Sequence, residues 1–330
     1  MPEDKKRRTI GMGNMKVTIW GSRGSLPASI TAEQVRDKIF KALEASQNYQ
    51  LKTTKEINAF IESKVPFSVK GCYGSNTSCV EIRGGKDHVL FDAGTGLRDF
   101  GNHIIRAAKG PDSFHILLSH LHWDHLQGFP FFIPAYIKDN RINFYGCHEN
   151  LKAAFFNQQS PPYFPVPLTA MSADLQFTQL EPEKEYDIGG FRIKGMEQNH
   201  PGKSYSYCIK KGDKKIVYST DSEHKENVDD RSYPFLQFIK NADLLILDTQ
   251  YSLLEAIYTK ENWGHSSNII AVELAVKAGV KHLCMFHSEP VLGDETLDKI
   301  LEDTKRYAEL YADSYSLKIS LAYDGLKIEV

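Results

Sequence analysis

The sequence lacks any run of about 18 consecutive apolar residues in its 330 positions, which excludes a membrane-spanning helix. It also lacks an excess of either charge. Forty basic against 42 acidic side chains leave a formal net charge of −2, which excludes a strongly basic protein that coats nucleic acid but leaves room for a small anion pocket. The opening MPEDKKRRTIGMGNM is charged with no apolar core behind it, so no secretory signal is read there. Cysteine is sparse and unpaired in pattern: Cys72, Cys79, Cys147, Cys208 and Cys284 are an odd number without CxxC spacing. Reduced thiols in a cytoplasmic protein are therefore expected. No internal repeat or low-complexity stretch interrupts a composition of 25% charged and 41% hydrophobic residues, which is that of a globular chain.

What is present is a succession of short β-type runs that end in polar turns. Lys16–Trp20 leads to the turn GSRGSLP; HVLFD, FHILLSH and RINFYG follow, then Phe191–Met196, Tyr205–Ile209, Lys215–Ser219, Leu244–Asp248 and HLCMFH over 282–287. Helices are expected between Gly264 and Gly279 and near Asp294–Tyr311. Thr31–Gln34 and Thr53–Glu56 both have capping-box form. They open helical periodicities carried by Val35, Ile39 and Leu43, and by Ile57, Phe60, Ile61 and Val65. Residues 28–66 thus read as a helical hairpin inserted between two strands, for packing or oligomer contact, a homodimer being one such role. Residues 1–14 read as a flexible tail and 15–330 as one α/β domain of layered sheets.

The chemistry concentrates at Ser119-His120-Leu121-His122-Trp123-Asp124-His125, directly after the apolar strand Phe114–Leu118. Three imidazoles and a carboxylate within six positions, at a turn leaving a buried strand, form a cluster of borderline metal ligands. As mere structure such a crowd would be costly, because each ring needs its own hydrogen-bond partner.

This string resembles the HxHxDH signature of the metallo-β-lactamase-fold hydrolases, which implies a four-layer αββα sandwich. The family's remaining ligands come singly from later strand ends. Here His200 ends FRIKGMEQNH, Asp221 ends KKIVYSTD and His287 ends HLCMFH. The resemblance implies that His120, His122 and His200 hold one divalent ion and that Asp124, His125 and His287 hold a second, with Asp221 bridging. The nitrogen and oxygen donors suit zinc, with manganese or iron as alternatives. Asp92, in FDAGTG, is either a partner that orients a ligand imidazole or a carboxylate that satisfies the glycine turn.

A second element, Trp263-Gly264-His265-Ser266-Ser267, resembles the GHS(T/S) motif of the tRNase Z and phosphodiesterase branch. The resemblance implies that His265 faces the scissile phosphate and that Asp248, in LLILDTQY, partners it. Asp124 would position and help deprotonate the nucleophile. Two glycine loops, Gly21–Ser25 and Gly74–Ser78, resemble the N-terminal loops of that branch and offer Arg23, Ser75, Asn76 and Thr77 as substrate contacts. Tyr163 and Phe164, in SPPYFPVP, are candidates for stacking on a base or for plain surface packing.

Long-form tRNA-processing relatives carry a protruding arm between the late histidine and the bridging aspartate, but only a short KSYSYCIKKGDKKIVYST lies between His200 and Asp221. No extended nucleic-acid surface is expected. Class B1 β-lactamases place a cysteine where Asp221 stands, and glyoxalase II-like enzymes do not require a His265–Asp248 pair. The expectation is a dinuclear metal-dependent phosphodiesterase acting on a small phosphodiester, a cyclic nucleotide above all. The alternatives are a tRNase Z-like RNA 3′-end endonuclease and a nucleotide-binding sensor that does not hydrolyse.

Overall fold

Two seven-stranded sheets lie face to face in the computed structural model, which describes residues 14–107, 112–224, 232–252, 260–312 and 315–330. The first sheet contains β1 (Lys16–Gly21), β2 (Cys79–Arg83), β3 (His88–Phe91), β4 (Ser113–Leu117), β5 (Arg141–Gly146), β6 (Asp174–Gln179) and β14 (Lys327–Glu329), in the order β14-β1-β2-β3-β4-β5-β6. The second contains β7 (Glu185–Ile188), β8 (Phe191–Gln198), β9 (Ser204–Lys211), β10 (Lys214–Ser219), β11 (Leu244–Asp248), β12 (His282–Phe286) and β13 (Lys318–Leu321), in the order β13-β12-β11-β10-β9-β8-β7.

Alternation along the strands builds three apolar layers. Val17, Ile19, Val80, Ile82 and Phe91 from the first sheet meet Tyr207, Ile216, Tyr218, Ile246 and Phe286 from the second. Each such side chain contributes roughly 1.5–3 kcal/mol by leaving water. On the outer face of the first sheet, Leu90, Ile116, Ile142 and Phe144 pack in one cluster with residues of α4 (Gly96–Arg106) and α5 (Leu151–Gln158). On the outer face of the second, Leu245, Leu247, Leu283 and Met285 share a cluster with residues of α6 (Pro234–Ile239), α7 (Asn268–Lys277) and α8 (Asp294–Tyr311). The result is the expected αββα layering of a mixed α/β fold.

β3 to β6 run parallel, as do β10 to β13. Strands buried on both faces read as unbroken apolar runs, which is why LLIL in β11 and LCMF in β12 have no alternation. Parallel strands also deliver their C-terminal ends to one rim, so the polar residues that follow them are gathered there.

The hairpin between β1 and β2 consists of α1 (Ala32–Ser46) and α2 (Thr54–Lys64), followed by a single turn, α3 (Phe67–Lys70). Both capping boxes form: Thr31 accepts from the Gln34 N–H and Thr53 from the Glu56 N–H, each at 3.2 Å. Residues 1–13 of the expected tail lie outside the described residues. All five cysteines are free, Cys72 half-buried and the others buried. No helix among the described residues is long and apolar enough to cross a membrane.

Candidate metal centre

The polar residues of the rim come from six strand ends. Leu118 and Ser119 separate β4 from His120, and a 3-10 turn over Trp123–His125 swings Asp124 and His125 inward. His200 and Asp221 each lie two residues beyond a strand, Asp248 closes β11, and His287 follows β12 directly. Asp92, Asp221 and His287 all take left-handed backbone, with φ of 62°, 42° and 64°. Three non-glycine residues in this costly region at one rim mark a place where geometry has been held against strain.

Ligand atoms of His120, His122, His200 and Asp221 lie within 4.8 Å of one another, as do those of Asp124, His125, Asp221 and His287. Asp221 belongs to both groups through different oxygens. Its Oδ2 is 3.5 Å from His120 Nε2 and 3.8 Å from His200 Nε2. Its Oδ1 is 3.3 Å from His125 Nε2 and 3.2 Å from His287 Nε2. Asp124 Oδ2 completes the second group, at 3.1 Å from His125 Nε2 and 3.2 Å from His287 Nε2.

The outer partners of the rings decide what points inward. His125 Nδ1 donates to Asp92 Oδ2 at 2.8 Å, His200 Nδ1 to the Gly264 carbonyl at 2.9 Å, and His287 Nδ1 to Gln250 Oε1 at 2.8 Å. With Nδ1 carrying the proton, each of these rings turns an Nε2 lone pair to the interior. His125 Nε2 and His287 Nε2 then face each other at 3.3 Å. His120 Nε2 is buried with no hydrogen-bond partner. Lone pairs opposed to lone pairs and carboxylates repel unless a cation lies between them, so this donor set fits two divalent ions. Of the two readings of Asp92, the geometry matches the orienting partner: it also accepts from the Ser119 N–H at 2.7 Å and the Tyr218 hydroxyl at 2.6 Å.

The electrostatics agree. Burial, then the neighbouring His125 ring, pushes His120 well below its usual range, which leaves a neutral donor. Burial opposes the charge on Asp221, but His287, His125 and His120 hold its carboxyl well below the usual range. Burial likewise opposes charge on His125, yet Asp124, Asp221 and Asp92 draw it well upward. That carboxylate field is one a bound cation would neutralise in place of a proton.

Beside the clusters, His265 Nδ1 donates to Asp248 Oδ2 at 2.8 Å, and its ring stacks on His287 with centroids 5.3 Å apart. Burial works against a charged His265, but Asp248 outweighs it, with help from Asp221 and Asp124, and the imidazole is pushed up to about 9. Such a ring carries a proton at neutral pH.

The four expected substrate contacts are not brought to this centre. Arg23 is buried; its Nε donates to the Gly74 carbonyl at 2.9 Å, and its Nη1 to those of Leu292 and Glu289 at 3.0 and 3.1 Å. The guanidinium ties loops together instead of facing solvent. Ser75 and Asn76 donate their N–H groups to Asp324 Oδ2, both at 2.9 Å, and Thr77 exchanges hydrogen bonds with Thr95. The anion held by these glycine loops is thus the chain's own Asp324 carboxylate. Tyr163 is 80% exposed, and Phe164 packs edge-on against Phe131.

Four further residues shape the centre; Gln250 and Glu223 were not singled out in the sequence, and Ser25 and Gly264 were named only as members of their motifs. The Ser25 N–H donates to Asp124 Oδ2 at 2.8 Å, and Gln250 orients His287. Gly264 supplies the carbonyl for His200, and Glu223 accepts from the N–H groups of Asn262 and Gly264 at 3.0 and 3.3 Å. Ser25 and Gly264 act through backbone atoms, which residue type does not advertise. Trp123, between His122 and Asp124, is 86% exposed.

A profile of the beta-lactamase superfamily domain matches residues 87–288. The ribonuclease Z of Thermoplasma acidophilum is 24% identical over 287 residues, covering 71% of this chain and 86% of its own. Among solved structures, the metallo-beta-lactamase fold protein YhfI from Bacillus subtilis aligns with a TM-score of 0.63 at 18% identity, over 96% of this chain and 100% of its own. Unliganded yeast PDE1 aligns with a TM-score of 0.63 at 12% identity, over 97% and 100%. The likeness to these two structures is one of fold.

Proposed function

This chain belongs to the beta-lactamase superfamily and is a hydrolase of the metallo-beta-lactamase fold, and from that premise we propose that it is a dinuclear phosphodiesterase acting on small phosphodiesters, cyclic nucleotides first among them. The observation that carries the reading is the pairing of two convergent donor clusters with a separate, carboxylate-held imidazole at their edge. A hydrolase that only needed an activated water would have no use for a second, protonated histidine. Cleavage of a phosphodiester needs one, because an alkoxide must leave.

In this reading His120, His122 and His200 hold one ion, Asp124, His125 and His287 the other, and Asp221 both. Zinc suits the nitrogen-rich set best. Two such ions, when bound, would supply Lewis acidity toward a phosphoryl oxygen and would make water a better nucleophile at neutral pH. The chain does the rest. Asp124, fixed by the Ser25 N–H, would help to position the attacking water and take up its proton. His265, charged and held by Asp248, stabilises the developing negative charge and gives its proton to the leaving oxygen. Trp123 offers a solvent-facing indole on which a base can stack.

A second reading, RNA 3′-end processing, is favoured by the ribonuclease Z relatives. Against it, the stretch between His200 and Asp221 is filled by the plain β9–β10 hairpin, and the net charge is near zero. The test is hydrolysis of a panel of cyclic mononucleotides and dinucleotides beside a precursor tRNA, with protein of measured metal content. The expected result is turnover of the cyclic phosphodiesters with little action on the RNA. Salt-sensitive binding and preferred cleavage of the tRNA would select the second reading, and metal-loaded protein that binds nucleotides but cleaves nothing would overturn both.

A further inference from the structure

None of the 15 residues of α1 is buried. The half-buried ones, Lys38, Lys41, Ala42 and Ser46, form the stripe that faces the body of the protein. It is a polar attachment. Lys38 Nζ donates to the Gly71 carbonyl at 2.8 Å, to Asp294 at 2.5 Å and to the Ser68 carbonyl, while Lys41 pairs with Glu295. The helix is therefore docked by its charged side.

Its apolar stripe lies elsewhere. Val35, Ile39 and Leu43 recur at i, i+4 and i+8 and are 41%, 56% and 64% exposed; Phe40 beside them is 61% exposed. Ile30 precedes the Thr31 cap, the position that staples to Val35 in the first turn, and is also exposed. Helices of this length gain most of their stability by burying an apolar face. These five side chains together leave on the order of 500 Å² in water, as much as the largest patch on an ordinary monomer. A standard interface buries about 800 Å² on each partner, a little under two-thirds of it apolar. The patch is the size of one such half.

The spacing also names the other half. Val35 and Leu43 are equidistant from Ile39, so the stripe reads the same from either end. Two antiparallel copies related by a two-fold axis would set Ile39 against Ile39 and Val35 against Leu43, a self-complementary pairing of the kind a two-fold dimer requires. We propose that α1 forms a homodimer interface, in which a second copy of this chain covers the Val35–Ile39–Leu43 stripe. The proposal does not depend on the chemistry of the metal centre.

Sedimentation velocity and light scattering on the full chain test it. Wild-type protein should run at twice its 37.4 kDa mass and stay dimeric in high salt, because an apolar contact is not screened. Ile39→Glu should give a monomer with unchanged metal content and unfolding temperature. Cysteine mapping with a mild oxidant adds geometry. Ile39→Cys should cross-link to itself, Val35→Cys or Leu43→Cys alone should not, and a mixture of those two variants should. A monomer at every concentration to about 100 μM, a dimer that survives Ile39→Glu, or cross-linking indifferent to position would each overturn the proposal.

Discussion

Replacing Gly264 by alanine should weaken one ion without replacing any ligand side chain. Gly264 has φ +85°, and a Cβ there would lie 2.2 Å from His200 Nδ1 and 2.5 Å from Pro201 Cδ. Ordinary contact begins near 3.4 Å, so the imidazole must retreat by roughly 1 Å, far beyond the ~0.2 Å tolerance of a metal ligand. The same movement breaks the 2.9 Å hydrogen bond from His200 Nδ1 to the Gly264 carbonyl. Losing an outer-shell bond of this kind typically lowers metal affinity about 10- to 100-fold. The left-handed backbone adds about 1 kcal/mol of strain for any L-residue. Gly190→Ala supplies the control: Gly190 has φ +79° with nothing within 4 Å of its Cβ, so it carries the strain without the collision. Titration against a chromophoric chelator should show one ion bound at least tenfold more weakly in Gly264→Ala and two normal ions in Gly190→Ala. Equal affinities in the two variants would refute the placement of His200 in the centre.

Other substitutions separate roles. His122→Ala should lose metal and activity together, as metal analysis beside a rate assay will show. His265→Ala should keep both ions while kcat falls by ~10²–10⁴-fold, the usual worth of a general acid; normal turnover would return that residue to a structural role. Trp123→Ala should raise KM roughly 5- to 100-fold for nucleotide substrates and leave a base-free phosphodiester unaffected, given about 1–3 kcal/mol per stacked base. Acid should destabilise the fold through His224, whose burial pulls it down to about 4 and whose Nε2 has no partner. The unfolded chain takes up that proton near pH 6.5 and the native one only near 4, so stability present above 6.5 is lost as pH falls between the two, by up to roughly 3 kcal/mol. Urea unfolding of metal-free wild type and His224→Phe at pH 7 and 4.5 checks this: the variant should lose less.

The sequence was most legible where one face of an element, or both, is apolar. Leu244–Asp248 and Asp294–Tyr311 are found in the structure at their expected bounds, and β8, β9 and β10 extend the expected runs by one to three residues. β6 and β7 escaped because they are the last strands of their sheets. DLQFTQ has no buried residue and EYDI has one; each alternates, but over only two apolar side chains, too short a run to stand out from a loop. α4 was missed because GLRDFGNHIIR carries two glycines, each admitted for close packing: a Cβ at Gly96 would meet the backbone of Trp20 at 2.5 Å, and one at Gly101 the Phe132 ring at 2.8 Å. Within the centre, the imidazoles and carboxylates were visible as residue types in order. The loops around Arg23 and Asn76 were misread, since Gly–Ser turns attract any carboxylate, and nothing local revealed that Asp324, some 250 residues onward, would occupy them. The apolar spacing of α1 was plain in the chain; which way it faced was not.

Asp92 stands where both sheets meet. Ser119 and His125 reach it from the β4 side, and Tyr218 reaches it from β10 across the interior. One ion's ligands therefore hang partly from each wall of the sandwich, and the gap between the walls sets how the two halves of the centre are registered. The filling between them acts as a spacer for the chemistry at the edge. A core variant that thins or thickens the sandwich, many ångströms from any reacting atom, would retune the enzyme as surely as a change of ligand.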